Sequence, residues 1–306
     1  MPAVALTGER AGKVAGGIRE VLGSYGAEVR GTVLESALVE LDWLAGFPGE
    51  FFGPGGPYEL DKNRAIEAFV VVLRLTYVLH AFQQVKSLSG FAGKAKNLRH
   101  LRPTLVSPHG TSKGVDRDRE AWDILVEVEV AGLLSAGGVP VDLGEPDVRV
   151  LLPGERPFGL ACKRPQNMKG VGRAIRDGVE QLERQSGRGV VLLNCDQVLA
   201  GSRGFSPVLH GGSSERVRQE CDVKLDKIGE VAAERIAIGL GGSTACAGVV
   251  LVANFITLAP HEREGMSYVD SKMRISLVPC LESGTLLLVF ESILNKGQAV
   301  FRSSPI

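Results

Sequence analysis

Two short apolar segments each carry an ionisable residue that could act on a common substrate. Asp147 follows Pro146 and begins one segment, and Lys163 ends the segment Phe158–Lys163. A carboxylate and an ammonium group held close together can bind a cation, orient a water molecule and move a proton. These residue types therefore suggest hydrolytic chemistry on a charged substrate.

The second segment has a definite facing pattern if it is a strand. Successive side chains of a strand point to opposite faces, so Ala161 and Lys163 should share one face and Leu160 and Cys162 the other. An acid at position 161 would lie beside Lys163, and Asp147 could reach the same point. The chain has alanine there instead.

The segments around these residues have a regular order. Apolar periodicity and turn residues predict a helix, an extended piece, a strand, a turn, a strand, a helix and a buried strand. These elements are Glu120–Ala136 ended by Gly137 and Gly138, Val139–Leu143, Asp147–Leu152, Pro153–Arg156, Phe158–Lys163, Lys169–Gln185 and Gly189–Asp196.

This ordered set resembles the PD-(D/E)xK nuclease superfamily, the restriction-endonuclease-like proteins. The pattern of that superfamily is Pro-Asp, a spacer and then Asp/Glu-x-Lys. The resemblance covers residues 120–196, about a quarter of the chain, and it implies an α/β fold with an αβββαβ core and a mixed central sheet. Ala161 occupies the position where the second acid belongs.

The resemblance also implies a metal site. Asp147, the backbone carbonyl of Cys162 and the missing acid at position 161 would hold Mg²⁺ or Mn²⁺, and Lys163 would orient or deprotonate the attacking water. The superfamily often adds a glutamate from the preceding helix. Glu127 is favoured over Glu129 because it lies nearer the face that meets the sheet, although both could be solvated helix charges.

The helix after Lys163 could contact a phosphate backbone. Lys169, Arg173 and Arg176 share one helical face, and Arg164 precedes it. Gln181 stands where related nucleases often place a polar residue that points at the site. A basic helix face is also a common solvated surface, and both interpretations stay open.

The remaining segments divide the chain into two regions. Residues 1–115 are expected to form a mainly helical N-terminal region, with a helix at Ala65–Gln84 and a basic connector over residues 86–117. Residues 116–306 are expected to form the nuclease-like domain with a C-terminal sheet extension. That extension is predicted to comprise a loop, a helix and three strands, at Gly201–Ser214, Glu215–Ile238, Gly248–Thr257, Met273–Pro279 and Thr285–Phe290.

Composition limits the function classes. The 306 residues are 44% hydrophobic and 23% charged, and 35 basic residues balance 35 acidic ones, so a nucleic-acid surface would have to be local. Five scattered cysteines without zinc-ligand spacing suit a reducing compartment. The first residues lack the pattern of a signal peptide. A cytoplasmic protein with no membrane partner is therefore expected.

The expected function is a Mg²⁺-dependent endonuclease or exonuclease that cuts DNA rather than RNA, in phage defence, restriction or repair. It could act as a homodimer or with a partner protein of a defence system. Three explanations of Ala161 remain: an inactivating substitution of glutamate, an acid that has moved to Glu127, Glu145 or Asp142, or a non-catalytic nucleic-acid-binding or structural protein on a degenerate nuclease core.

Overall fold

The structure is a computed structural model. It describes ten stretches of the chain and the single residue 51. The stretches are residues 7–48, 54–101, 112–151, 157–185, 188–200, 208–210, 214–239, 245–259, 268–279 and 284–303. The turn expected at Pro153–Arg156 and most of the loop expected at Gly201–Ser214 lie outside the described residues.

A seven-stranded mixed sheet forms the centre of the α/β fold. Its strands are β1 (Val141–Leu143), β2 (Val148–Val150), β3 (Phe158–Lys163), β4 (Gly189–Asn194), β5 (Val208–His210), β6 (Cys246–Ala259) and β7 (Tyr268–Pro279). Strands β1, β2 and β3 pair antiparallel, β3, β4 and β6 pair parallel, β5 pairs parallel with β6, and β7 pairs antiparallel with it. The expected mixed sheet is confirmed.

Helices cover both faces of this sheet. They are α1 (Gly8–Ser24), α2 (Val33–Ala45), α3 (Pro57–Leu60), α4 (Lys62–Val85), α5 (Phe91–Leu98), α6 (Ser112–Ala136), α7 (Met168–Gln185), α8 (Asp196–Ala200), α9 (Ser214–Gly239) and α10 (Gly284–Ser303). Helices α6 and α10 pack on one face together with the N-terminal helices, and α7 and α9 pack on the other.

The side chains of β3 alternate between the two cores as expected. Leu160 and Cys162 belong to the core shared with the N-terminal helices, whereas Ala161 belongs to the core beneath α7. The alternation follows from the period of two along a strand. Position 161 is thus fully buried on the α7 side of the sheet.

Helix α4 is the centre of the N-terminal region. Its first turn is capped by Asp61, whose side chain accepts a hydrogen bond from the Arg64 amide. By length and composition α4 could cross a membrane, which is weak evidence because 78% of its most apolar stretch is buried inside the fold. Such burial is typical of a core helix in a globular protein.

Two expectations for the chain outside the sheet core are corrected. The predicted strand at Thr285–Phe290 is part of helix α10, and its apolar positions continue at helical spacing through Leu294 to Phe301. The basic connector over residues 86–117 contains helix α5 and the start of α6. The expected boundary between residues 115 and 116 falls inside α6, which packs against both α4 and the sheet.

Helix α10 approaches α6 closely at Gly297. A Cβ atom built at this residue would lie 2.0 Å from the carbonyl oxygen of Leu133. We expect Gly297→Ala to lower the free energy of unfolding by about 1–3 kcal/mol, because backbone atoms cannot yield to the added methyl group. Gly16→Ala in α1, where an added Cβ meets nothing within 4 Å, should instead stabilise by roughly 0.5–1 kcal/mol. Urea denaturation of both variants checks this contrast.

Candidate functional site

The Pro146-Asp147 pair lies where the pairing of β2 with β3 ends. The register that pairs Val148 with Leu160 would place Pro146 opposite Cys162, and proline has no N–H to donate. At this point the Cys162 amide donates a hydrogen bond of 2.7 Å to Oδ2 of Asp147. The side chain of Asp147 is thereby fixed against the end of β3.

The same geometry places the backbone carbonyl of Cys162. In an antiparallel arrangement the N–H and C=O of one residue project to the same side of the strand. Because the Cys162 N–H points at Asp147, its carbonyl faces that side as well, where Pro146 cannot donate to it. Asp147 itself has a φ of +23°, a value that Asp tolerates better than most residues.

Lys163 and Gln181 complete a network around Asp147. The ammonium group of Lys163 lies 3.4 Å from Asp147 Oδ2 and donates to Gln181 Oε1. The amide of Gln181 then donates to Asp147 Oδ1 at 2.9 Å. Lysine can only donate and a carboxylate can only accept, so the orientation of the Gln181 amide is determined. The expected meeting of Asp147, Lys163 and Gln181 is present in the structure.

Glu145 and Asp142 are two further acids that could replace the missing one. Glu145 joins the network through Gln181, whose Nε2 donates to it at 3.0 Å. Asp142 is bound elsewhere, by Ser89 and Arg149, and these hydrogen bonds outweigh its partial burial and lower its pKa. Of these two residues, Glu145 is the one that the structure connects to Asp147.

Glu127 faces the site from α6. Its side chain is 12% exposed and forms an ion pair with Lys94 of α5. Burial and the charge of Asp147 raise the pKa of Glu127 to about 7, against the opposing charges of Lys94 and Lys163. Glu127 is therefore a largely buried carboxylate that lies near Asp147, and not a solvated helix charge.

Glu129 is buried in a different contact. It pairs with Arg74 of α4 at 2.8 Å, and both side chains are nearly inaccessible. Burial raises the pKa of Glu129 to about 7 and the charge of Asp196 adds to the effect, whereas Arg74 opposes it. This carboxylate links α6 to α4 and takes no part in the network of Asp147.

Cys162 and Ala161 of β3 lie beside Asp147 and differ in the chemical groups that they offer. Burial, followed by the charges of Asp147 and Glu127, raises the pKa of the Cys162 thiol well above its usual value. A neutral buried thiol is a poor nucleophile. Ala161 contributes no polar group, so the chemistry of this strand rests on Lys163 and on the Cys162 carbonyl.

The predicted phosphate contacts fall into two groups. Lys169, Arg173 and Arg176 are exposed on the outer side of α7, and Arg173 forms a loose ion pair with Asp177 at 3.5 Å. Arg164 is different, because its side chain is 3% exposed and donates to Asp123. The guanidinium of Arg164 also donates to Gln197 and to the Arg119 carbonyl, so its contacts are those of a structural residue.

The described residues around Asp147 do not form a divalent-cation site. Among the described residues, no three His, Cys, Asp or Glu side chains lie close enough to hold a metal ion. Glu127 and Asp147 each bind an ammonium group, those of Lys94 and Lys163, and position 161 lacks a carboxylate. Hard cations such as Mg²⁺ require several oxygen ligands, and this set falls short.

No family model, curated protein or solved structure matches this chain. The functional interpretation therefore depends on the order of the elements and on the side chains that meet at the end of β3.

Sequence reasoning missed Lys94 as a member of the site. Lys94 lies in the segment expected to be a basic connector, 33 positions before its partner Glu127. The available signal was helical spacing within the connector, where Phe91, Ala95 and Leu98 form the buried face of α5. That pattern identifies a packed helix but does not show which acid its lysine meets.

Proposed function

We propose that this chain is a PD-(D/E)xK-type nuclease whose site lacks one carboxylate, so that it binds nucleic acid, DNA in preference to RNA, and cleaves it poorly. The setting would be phage defence, restriction or repair. One observation carries the proposal: Asp147, Lys163 and Gln181 converge at the end of β3. Three polar side chains from separate elements are brought into one hydrogen-bonded group beside a strand end.

The order of elements supports the same assignment. Helix α6, strands β1, β2 and β3, helix α7 and strand β4 follow one another along the chain, which is the αβββαβ order of the superfamily. Asp147 immediately precedes the second strand and Lys163 ends the third. Fold-level likeness is an argument by analogy, and the side-chain network supplies the chemical part of the argument.

The residues present have distinct roles in this proposal. The Lys163 ammonium group is a proton donor next to Asp147. A water molecule that attacks a phosphodiester would be oriented there. Gln181 fixes both groups by bonding each with one end of its amide. A carboxylate at position 161 would add the oxygen ligand that the set lacks for Mg²⁺ or Mn²⁺. The direct test is whether Ala161→Glu gains metal-dependent cleavage.

DNA would be held by the exposed cations of α7. We expect the chain to bind duplex DNA with an affinity that falls as salt rises, with a log–log slope of about −0.9 per phosphate neutralised. Replacing Lys169, Arg173 and Arg176 by alanine should weaken binding and make this slope shallower. Fluorescence anisotropy with a labelled duplex at several salt concentrations measures both quantities.

A matched control separates contact from overall charge. Lys13, Arg19 and Arg30 are one lysine and two arginines on the N-terminal part of the chain, and replacing them by alanine changes the net charge equally. This second triple variant should bind DNA as the parent chain does. Equal loss in both triple variants would show that the α7 face makes no specific contact.

A non-catalytic binding protein is the second candidate, and one observation favours it. Glu127 and Asp147 each already have a lysine partner, Lys94 and Lys163 respectively. Such a network is satisfied without any added ion. DNA binding by the parent chain, together with no cleavage after the acid is restored, would select this candidate.

A further inference from the structure

A lysine from outside the sheet core reaches into the site. Lys94 of α5 forms an ion pair with Glu127 of α6, and the two side chains are 20% and 12% exposed. A pair this sheltered is screened less by salt and water than one on the surface. Lys94 is therefore an ordered part of the site and not a mobile connector charge.

The backbone of α5 is held in a way that fixes this lysine. Gly90, immediately before the helix, has a φ of +84°, and a Cβ atom there would lie 2.1 Å from the carbonyl oxygen of Leu143. At the other end, Asn97 donates to Glu120 of α6 at 3.0 Å. Phe91 between them is fully buried. Helix α5 is thus tied to β1 and to α6 on either side of Lys94.

The two acids that would face a metal ion are each paired with a cation of the chain. Lys94 pairs with Glu127 and Lys163 with Asp147, and Glu145 joins the network through Gln181. Asp147 is close enough to Glu127 to perturb it electrostatically. A divalent cation entering between these carboxylates would meet both ammonium groups at short range, where like charges repel strongly.

We propose that Lys94 is a built-in cation that occupies the Glu127 side of the site and keeps divalent ions out of it. The proposal deepens the proposed function and rests on the metal roles that the nuclease resemblance implies for Glu127 and Asp147. Metal loading then requires the Lys94 ammonium to leave Glu127. Lys94 is a positioning residue in this scheme, since it acts on the site through the carboxylate that it holds.

The test is a Mn²⁺ titration of the full chain without nucleic acid, followed by the electron paramagnetic resonance signal of free Mn²⁺. Lys94→Met keeps most of the length of the side chain and removes its charge. We expect Lys94→Met to bind Mn²⁺ at least about tenfold more tightly than the parent, because a repulsive charge beside the ion is gone. Unchanged or weaker binding, including no detectable binding in either protein, would overturn the proposal.

Three further variants separate this effect from simpler ones. Lys96→Met removes an exposed charge from the same helix and should bind Mn²⁺ as the parent does, as should Lys94→Arg, which keeps the cation. Adding Glu127→Gln to Lys94→Met should abolish the gain. A gain as large in Lys96→Met would make the effect one of net charge and would contradict the assignment.

The outcome is separable from that of the proposed function. Circular dichroism establishes that each variant is folded, and Lys94→Gln replaces Lys94→Met if the latter is not. The titration involves no cleavage, so a chain with a restored acid that fails to cut DNA leaves the Mn²⁺ result unaffected. Conversely, unchanged Mn²⁺ affinity in Lys94→Met refutes the role of Lys94 and leaves the cleavage assay to decide the function.

Discussion

Replacing Ala161 by glutamate is expected to turn a chain that binds DNA into one that cuts it in the presence of Mg²⁺ or Mn²⁺. Position 161 shares its face of β3 with Lys163 and lies two residues before it, so a carboxylate there would lie next to Asp147 and Lys163. The measurement is conversion of supercoiled plasmid to nicked and linear forms. Lys163→Ala in the Ala161→Glu background should lower the rate by roughly 10²–10⁴-fold, the usual contribution of a positioned proton-transfer group.

The new carboxylate should also leave a thermodynamic signature. Ala161 is fully buried, and an ionised group placed in such a position is costly unless it is paired. The Ala161→Glu protein should therefore melt at a lower temperature than the parent without metal and recover part of the loss with Mn²⁺, because a ligand that binds only the folded state stabilises it. Thermal melts with and without Mn²⁺ measure this difference.

Ala161→Gln is the matched control for both measurements. It has nearly the same shape as glutamate but carries no charge, so it should show neither cleavage nor a Mn²⁺-dependent rise in melting temperature. If folded Ala161→Glu protein binds DNA and cuts it no faster than Ala161→Gln, the nuclease assignment fails and the non-catalytic binding protein is left. Cleavage at full rate by the parent would instead place the missing acid elsewhere, with Glu145 as the residue to change next.

The second large effect concerns the buried pair of Arg74 and Glu129. Both side chains are almost inaccessible, and removing one partner of a buried pair strands the other charge. We expect Arg74→Met to lower the free energy of unfolding by about 3–5 kcal/mol near neutral pH. Arg19→Met, which breaks the exposed pair with Asp42, should cost only about 0–1 kcal/mol. Chemical denaturation of both variants provides the comparison.

The cost of Arg74→Met should depend on pH in a definite direction. Burial raises the pKa of Glu129 from 4.5 to about 7, so between these values the folded state holds a proton that the unfolded state releases. Stability from this group therefore falls as pH rises through that window. Without Arg74 the folded-state pKa of Glu129 rises further. Arg74→Met should therefore lose more stability at pH 8 than at pH 5. A larger cost at pH 5 would contradict this account of the pair.

The elements closest to the site could be predicted from the sequence because local signals agreed there. The predicted bounds of β3 match the structure, and α7 begins one residue earlier than expected. Alternation along β3 placed Ala161 and Lys163 on one face. The strand predicted at Asp147–Leu152 is shorter in the structure, where β2 comprises Val148–Val150.

The errors occurred where local signals are ambiguous or absent. The run Thr285–Phe290 is short and apolar, a pattern that suits a buried helix as well as a strand, and only the later spacing to Leu294 and Phe301 favours the helix. The burial of Arg164 and the pairing of Lys94 depend on residues far along the chain. Tertiary contacts of this kind leave no trace in local periodicity.

The packing of helix α6 limits how the protein can be divided into fragments. Its residues lie in one continuous core with α4 on one side and β3 on the other, and its Glu129 is bound to Arg74 across that core. A truncated protein starting at residue 116 would lose the helices that shield this side of α6 and would expose a large apolar surface to water. The sheet with its site and the N-terminal helices should accordingly be produced together, and calorimetry should record a single melting event for both.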